Sequence, residues 1–276
     1  GGIEMETVRF GLVGYKFMGK AHSNAMARIG MFMSPDFGVE RRVLCGRDPK
    51  GLADAVARFG WTEGETDWRR MVARDDLDAV DITAPSDAHA VIALEAAAHG
   101  KHLFCEKPLA LTLADGRAML EAAERHGVRH QIGFNFRFAP AVQLAKRLID
   151  QGRIGRIFHF RGLYLQDWII DPSFPRVWRL DKAVAGSGSH GDLGAHIIDL
   201  ARFLVGEPAR VIGMNRTFVT ERPLVEEMTG LSGRAAADAP MGKVEVDDAT
   251  LFLAEFDNGA LGSFEATRFA QGHRNA

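Results

Sequence analysis

A chain of 276 residues, 46% hydrophobic and with a formal net charge of −2, has apolar material for one large or two ordinary domains. The near-neutral charge gives no electrostatic drive toward nucleic acid or an anionic membrane, and the apolar runs fall far short of a membrane span. The two cysteines, Cys45 and Cys105, each end an apolar run and show no zinc spacing, so free buried thiols, no metal and a reducing cytoplasm are expected.

In chain order, GGIEMETVRF lacks the basic-then-apolar order of a secretory signal, and Gly1 to Glu4 read as residues added before an original Met5. Val8 to Val13 reads as a strand and Lys20 to Ile29 as a helix. Arg42 to Cys45 is a second strand, followed by a helix through Leu52, Val56 and Phe59. Ala79 to Ile82 is a third strand, His89 to Ala98 an Ala-rich helix closed by Gly100, and His102 to Cys105 a fourth strand. Thr112 to His126 is a helix with Gly127 as its left-handed cap. Strands alternating with helices predict right-handed βαβ units and a parallel, doubly wound sheet.

After Gly127 the pattern changes. Gln131 to Phe138 reads as a strand and Pro140 to Ile149 as a helix. Longer strand-like runs follow at Ile157–Leu165, Val211–Val219, Ala249–Phe256 and Ala260–Thr267. Asn258-Gly259 between the last two is a hairpin signal. Glu221 to Lys243 reads as a long loop. The fold class is therefore α/β: a Rossmann domain over 5–128, then an α+β domain over 129–276 with an open, mostly antiparallel sheet.

Strand, Gly14-x-x-x-x-Gly19, then helix is the setting of a dinucleotide-binding turn. Glycine lets backbone N–H groups approach a pyrophosphate, and the helix N-terminus adds partial positive charge. Lys16 stands where the middle glycine of G-x-G-x-x-G is usual. The second strand ends Cys45-Gly46-Arg47-Asp48. An acidic residue there binds the ribose 2′-hydroxyl of NAD. Gly46 in its place, with Arg47 next, favours NADP, with NAD the alternative. Lys107, in CEKP, follows the fourth strand directly, where ligands of such sheets sit. Asp192 and His196 lie one helical turn apart in GSHGDLGAH. With Asp199 they form one polar edge beside an apolar stripe of Leu193, Ile197, Leu200 and Leu204. A carboxylate beside a histidine can orient the ring and support its charged form.

These motifs in this order resemble the Gfo/Idh/MocA family of sugar and polyol oxidoreductases. APSDAH (Ala84 to His89), GKHLFCEKPLA (Gly100 to Ala110), GFNFRFAPA (Gly133 to Ala141) and QGRIG (Gln151 to Gly155) extend the resemblance over nearly the whole chain. RGLYLQDW (Arg161 to Trp168) and VWRL (Val177 to Leu180) resemble its levoglucosan dehydrogenase branch. The resemblance implies Lys107, Asp192 and His196 as catalytic residues around one cleft, with a cis Lys107–Pro108 bond. It implies cofactor contacts by Gly14, Tyr15, Lys16, Phe17, Met18, Gly46, Arg47, Ala84, Pro85, His89, Glu106, Lys107 and Asn135. Gln166, Asp167, Trp168 and Arg179 join Lys107, Asp192 and His196 as sugar contacts. The implied reaction is hydride transfer from a secondary alcohol of a sugar, anhydrosugar or cyclitol to a nicotinamide. His196 is the base, and Lys107 supports the developing alkoxide. A homo-oligomer is implied, built on a sheet face carrying Phe158, Phe160 and Leu251. Family members continue past the last strand seen here, so a C-terminally incomplete second domain is expected. A non-catalytic dinucleotide sensor on the same fold is the alternative, and a metal hydrolase using His190, Asp192 and His196 is a third reading.

Overall fold

The computed structural model describes residues 6–224, 235–236 and 238–276. The reading of Gly1 to Glu4, and much of the loop expected between Glu221 and Lys243, lie outside the described residues. The chain divides into two compact units, Gly1–Gly133 and Phe134–Ala276.

The first unit runs β1 (Thr7–Val13), α1 (Phe17–Phe32), β2 (Gly38–Cys45), α2 (Pro49–Phe59), β3 (Glu63–Glu65), α3 (Trp68–Val72), β4 (Ala79–Ile82), α4 (His89–Ala98), β5 (His102–Cys105), α5 (Leu113–His126) and β6 (His130–Ile132). All strands pair parallel, in the order β3-β2-β1-β4-β5-β6. Strand order reverses between β1 and β4, so the crevice for a ligand opens beyond their carboxyl ends. The local causes are conventional. Asp48 caps α2 by accepting the N–H groups of Lys50 and Gly51, with Pro49 at the first helical position. Thr112 caps α5, and Gly127 ends it at φ 64°. Val13, Val80, Ile82 and Leu103 from the sheet bury against Ile92, Ala96 and Met119 from α4 and α5. Each strand read from the first-half sequence down to Cys105 is present. The strand expected over Gln131–Phe138 is not: pairing stops at Ile132, and Asn135–Phe138 is a 3₁₀ turn. β3 and α3 were not predicted; at three and five residues neither holds two full periods of its pattern.

The second unit adds α6 (Pro140–Asp150), β7 (His159–Leu165), α7 (Lys182–Ala185), α8 (Ala195–Leu204), β8 (Pro208–Arg216), β9 (Glu221–Pro223), β10 (Met241–Lys243), β11 (Ala249–Phe256) and β12 (Leu261–Thr267). Its main sheet has the order β7-β12-β11-β8, with β7 parallel to β12 and the other pairs antiparallel. β9 and β10 form a separate antiparallel pair inside the segment read as loop. Gly259, at φ 81°, closes the β11–β12 hairpin. One sheet face packs Phe256, Phe264, Ala254 and Ala266 against Leu193, Ile197 and Ala201. Gly162 permits this approach, because a Cβ there would stand 3.2 Å from Ile197 Cβ. The register puts Leu163, Ile212, Met214, Leu251, Leu253 and Leu261 on the opposite face, all exposed. Phe160 belongs to the helix-covered face instead, its ring tilted against that of Phe264, because alternation along β7 sends it opposite to Leu163. Phe158 precedes β7 and is exposed. Among the described residues no helix is long and apolar enough to cross a membrane.

Candidate active site

The dinucleotide turn lies at the carboxyl end of β1. Gly14 sits at φ +99°, and a Cβ there would meet the Thr83 carbonyl at 2.9 Å. The Thr83 hydroxyl donates to the Gly14 carbonyl at 2.7 Å, tying the turn to the end of β4. A Cβ at Gly19 would fall on the Gly14 carbonyl, so both glycines are steric requirements. Lys16 is the N-cap of α1 at φ −76°, ψ −143°, so the position does not need the positive φ that would call for glycine. No side chain caps α1, and its first turn holds no acidic residue. The leading N–H groups of a four-turn helix are left for an anion, so these residues fit a dinucleotide pyrophosphate. Phe17 is exposed and Met18 half-buried.

The Tyr15 ring lies where a Cβ of Gly46 would be, which explains glycine at the position expected to be acidic. Asp48 is occupied as the α2 cap and also raises the Tyr15 hydroxyl pKa, an effect secondary to burial. Arg47 is exposed. Ala84 and Pro85 follow β4. His89 is 1% exposed, and its ring bridges the Ala84 and Pro108 carbonyls, each at 2.9 Å. It therefore braces the loops after β4 and β5 against each other. Beyond β5, the Glu106 carboxylate accepts the Lys107 backbone N–H at 3.1 Å, and the Lys107–Pro108 bond is cis. Sequence reading missed His22 on α1, which lies between Asp81 Oδ2 at 2.8 Å and Glu106 Oε1 at 3.0 Å.

In the second unit, a π-helical turn over His190–Gly194 leads into α8 and carries Asp192. Asp247 holds the preceding segment: its carboxylate accepts the Gly188 and His190 N–H groups and the Ser189 hydroxyl at 2.7–2.8 Å. A Cβ at Gly188 would fall on the Asp247 backbone, so the fit depends on glycine. His196, on the first turn of α8, is 7% exposed. Its ring stacks on Phe136 at 4.4 Å and has Phe134 and Tyr164 5.9 Å away. Asp192 accepts from Arg268 Nη2 at 2.8 Å, a partner that sequence reading missed. Arg268 is 1% exposed and lies over Trp168 at 5.4 Å, and its Nε and Nη1 have no partner among the described residues. Burial pulls the Arg179 guanidinium below its usual pKa, with Asp192 acting against that and Arg268 adding to it. Trp168 donates to Gln166 Oε1, and Gln166 donates to Asn275, both at 2.8 Å; Asp167 accepts the Gly272 N–H. Asp192, Trp168, Gln166, Arg179 and Arg268 are thus linked in one polar cluster. Asn135 is exposed on its 3₁₀ turn.

Two sequence expectations fail here. Asp199 does not extend the Asp192–His196 edge: it is buried in a two-point pair with Arg137 at 2.6 and 2.7 Å. The buried stripe is Leu193, Ile197 and Ala201, while Leu200 and Leu204 are only half-buried. Among the described residues no three His, Cys, Asp or Glu side chains are grouped to hold a metal ion.

Residues 8–134 match the model of the oxidoreductase family with an NAD-binding Rossmann fold, and residues 142–276 match the GFO/IDH/MocA C-terminal domain. The chain is 45% identical over 273 residues to levoglucosan dehydrogenase of Pseudarthrobacter phenanthrenivorans, covering 98% of this chain and 70% of that protein. The chain belongs to the Gfo/Idh/MocA family of oxidoreductases. Within this family it is also 33% identical over 230 residues to scyllo-inositol 2-dehydrogenase (NAD(+)) of Bacillus subtilis, covering 82% of this chain and 60% of that one. A solved levoglucosan dehydrogenase in complex with NADH and levoglucosan superposes with a TM-score of 0.91 at 44% identity, over 98% of this chain and 69% of that one. The Gfo/Idh/MocA chain described here therefore shares a nicotinamide-binding fold with sugar, anhydrosugar and cyclitol dehydrogenases.

Proposed function

We propose that this oxidoreductase moves a hydride between a secondary alcohol of an uncharged sugar, anhydrosugar or cyclitol and a nicotinamide cofactor, with Lys107, Asp192 and His196 as its catalytic residues. The observation that carries the reading is His196: a buried imidazole on an aromatic floor, four residues from a carboxylate that a buried arginine holds. A dinucleotide held by Gly14 and the residues around it supplies the hydride acceptor. His196 takes the hydroxyl proton as general base. Lys107 gives a hydrogen bond and positive charge to the alkoxide as it forms. Asp192, fixed by Arg268, orients the sugar or the His196 ring. Gln166, Asp167, Trp168 and Arg179 bind the sugar, the indole offering a ring face and the polar tips reading hydroxyls. The reading requires Lys107 and His196 to meet at one hydroxyl. A panel of anhydrosugars, pyranoses and cyclitols with NAD and NADP, followed at the reduced-cofactor absorbance, tests it. Cofactor reduction with at least one member is the expected result, and dinucleotide binding without reduction across the panel would favour a sensor.

For the cofactor we propose NADP. Gly46 removes the usual carboxylate, Asp48 is engaged as a helix cap, and the exposed Arg47 can pair with a 2′-phosphate. The NAD reading rests on the solved relatives that hold NADH. The proposal extends to a cytoplasmic homo-oligomer, with a second copy on the open sheet face that carries Ile212, Met214, Leu251 and Leu253; the two buried free cysteines suit a reducing compartment.

A further inference from the structure

The dinucleotide turn uses Gly14 and Gly19 and leaves His22, further along α1, unexplained. His22 is on α1, its side chain 14% exposed. Its Nδ1 is 2.8 Å from an oxygen of Asp81, which is 1% exposed in the middle of β4, and its Nε2 is 3.0 Å from Glu106 Oε1 at the end of β5. Phe104 packs beside the ring. Both ring nitrogens thus face carboxylate oxygens, which only accept when ionised. A neutral ring has one N–H and could serve only one of them; the doubly protonated ring serves both. Burial alone would lower the His22 pKa, but the hydrogen bonds to Asp81 and Glu106 outweigh it and push it up to about 10.

Glu106 is the link to the chemistry. Its Oε1 takes His22 and its Oε2 takes the backbone N–H of Lys107. Gly133 leaves the room: a Cβ there would stand 2.8 Å from Glu106 Oε1. Without the ring, Glu106 would face the buried Asp81 uncompensated, and the end of β5 offers it a route to water. The Lys107 amide would then lose its acceptor.

We propose that His22 is a positioning residue for the hydride-transfer reaction: donating from both ring nitrogens, it fixes Glu106, which in turn fixes the backbone that carries Lys107. This rests on the function proposed above. The rival is a purely structural role, pinning α1 to the sheet.

The test compares His22→Asn with Asp81→Asn. An asparagine at 22 is too short to reach Glu106. With Asp81→Asn, the amide can donate to His22 Nδ1, and the neutral ring still donates to Glu106. Both variants disturb the same buried cluster, so a structural role predicts similar losses of thermal stability and kcat near wild type in both. The positioning role predicts a kcat loss of roughly 10²-fold for His22→Asn, the scale of a small misplacement of a reacting group. It predicts little change in KM or in dinucleotide Kd, and kcat for Asp81→Asn within about threefold of wild type, a shift of well under a decade. Equal kcat in both variants overturns the proposal. Should His22→Asn fail to fold, ¹⁵N-histidine NMR of the wild-type chain decides. His22 protonated at both nitrogens at about pH 8, well above the ordinary imidazole value, supports double donation, and a neutral ring there overturns it. If the wild-type chain reduces no cofactor with any sugar, the functional reading fails by itself, and the same NMR measurement still judges the His22 geometry.

Discussion

At the scale of single residues, the proposed chemistry divides between groups that touch the reacting atoms and groups that hold them. Lys107→Ala and His196→Ala are each expected to cut turnover by roughly 10²–10⁴-fold, the usual worth of an acid–base group or an oxyanion donor. Dinucleotide affinity, measured by fluorescence titration, should stay within about threefold, well under 1 kcal/mol; near-normal turnover in the histidine variant would remove it as the base. Arg47→Ala should weaken NADP by about one to two decades, from a charge-assisted contact of about 1.5–3 kcal/mol, and leave NAD nearly untouched. Equal weakening of both cofactors would assign Arg47 to a contact they share. Lys107, Asp192 and His196 could be proposed from the sequence because each lies in a short motif tied to an element boundary. Arg268 could not: it meets Asp192 across 76 residues, and a long-range polar pair leaves no local pattern. Asp199 misled for the related reason that a helical wheel shows direction and not the partner waiting there, here Arg137.

At the scale of elements, close backbone approaches set the geometry. Gly188→Ala would drive a methyl group into the Asp247 backbone and loosen the segment that leads to Asp192. We expect a loss of about 1–3 kcal/mol, typical of overpacking, seen in urea unfolding, together with lower kcat; an unchanged unfolding midpoint would contradict the tight fit. Apolar runs announced β1, β4 and β11, each of which buries several of its side chains. β3 reads Glu-Gly-Glu and carries no such signal. Phe134 and Phe136 read as part of a strand, yet they turn with the 3₁₀ segment toward His196. Apolar alternation over so few residues cannot separate the two conformations.

At the scale of the whole molecule, His22 ties the stability of the first unit to pH. Its folded pKa of about 10 stands above the ordinary value of about 6.5. The folded chain therefore keeps a proton that the unfolded chain loses between those values, and stability falls as pH rises across that window. Below about pH 6.5 both forms are charged and the contribution is complete. Thermal melts should drop by at least ~3 °C between about pH 6 and 9.5, which corresponds to roughly 1 kcal/mol for a domain of this size; His22→Asn should flatten that limb. The exposed apolar face of the second sheet belongs to the same scale. Light scattering is expected to show a dimer or larger species, and Leu253→Glu, a charge placed centrally on that face, should shift it toward monomer. A wild-type monomer would contradict assembly through this face.

The π turn over His190–Gly194 also bears on how this chain can vary by insertion and deletion. Such a turn accommodates one residue beyond the regular helical repeat. Removing one residue there, for example Gly191, would let the segment relax into ordinary α-helix and rotate everything upstream by about 100° relative to His196. Asp247 could not then hold Gly188 and His190 while Asp192 met Arg268. Length in this turn is therefore constrained along with residue identity, and a one-residue gap in a related sequence at this point marks a protein in which the residues matching Asp192 and His196 are arranged differently.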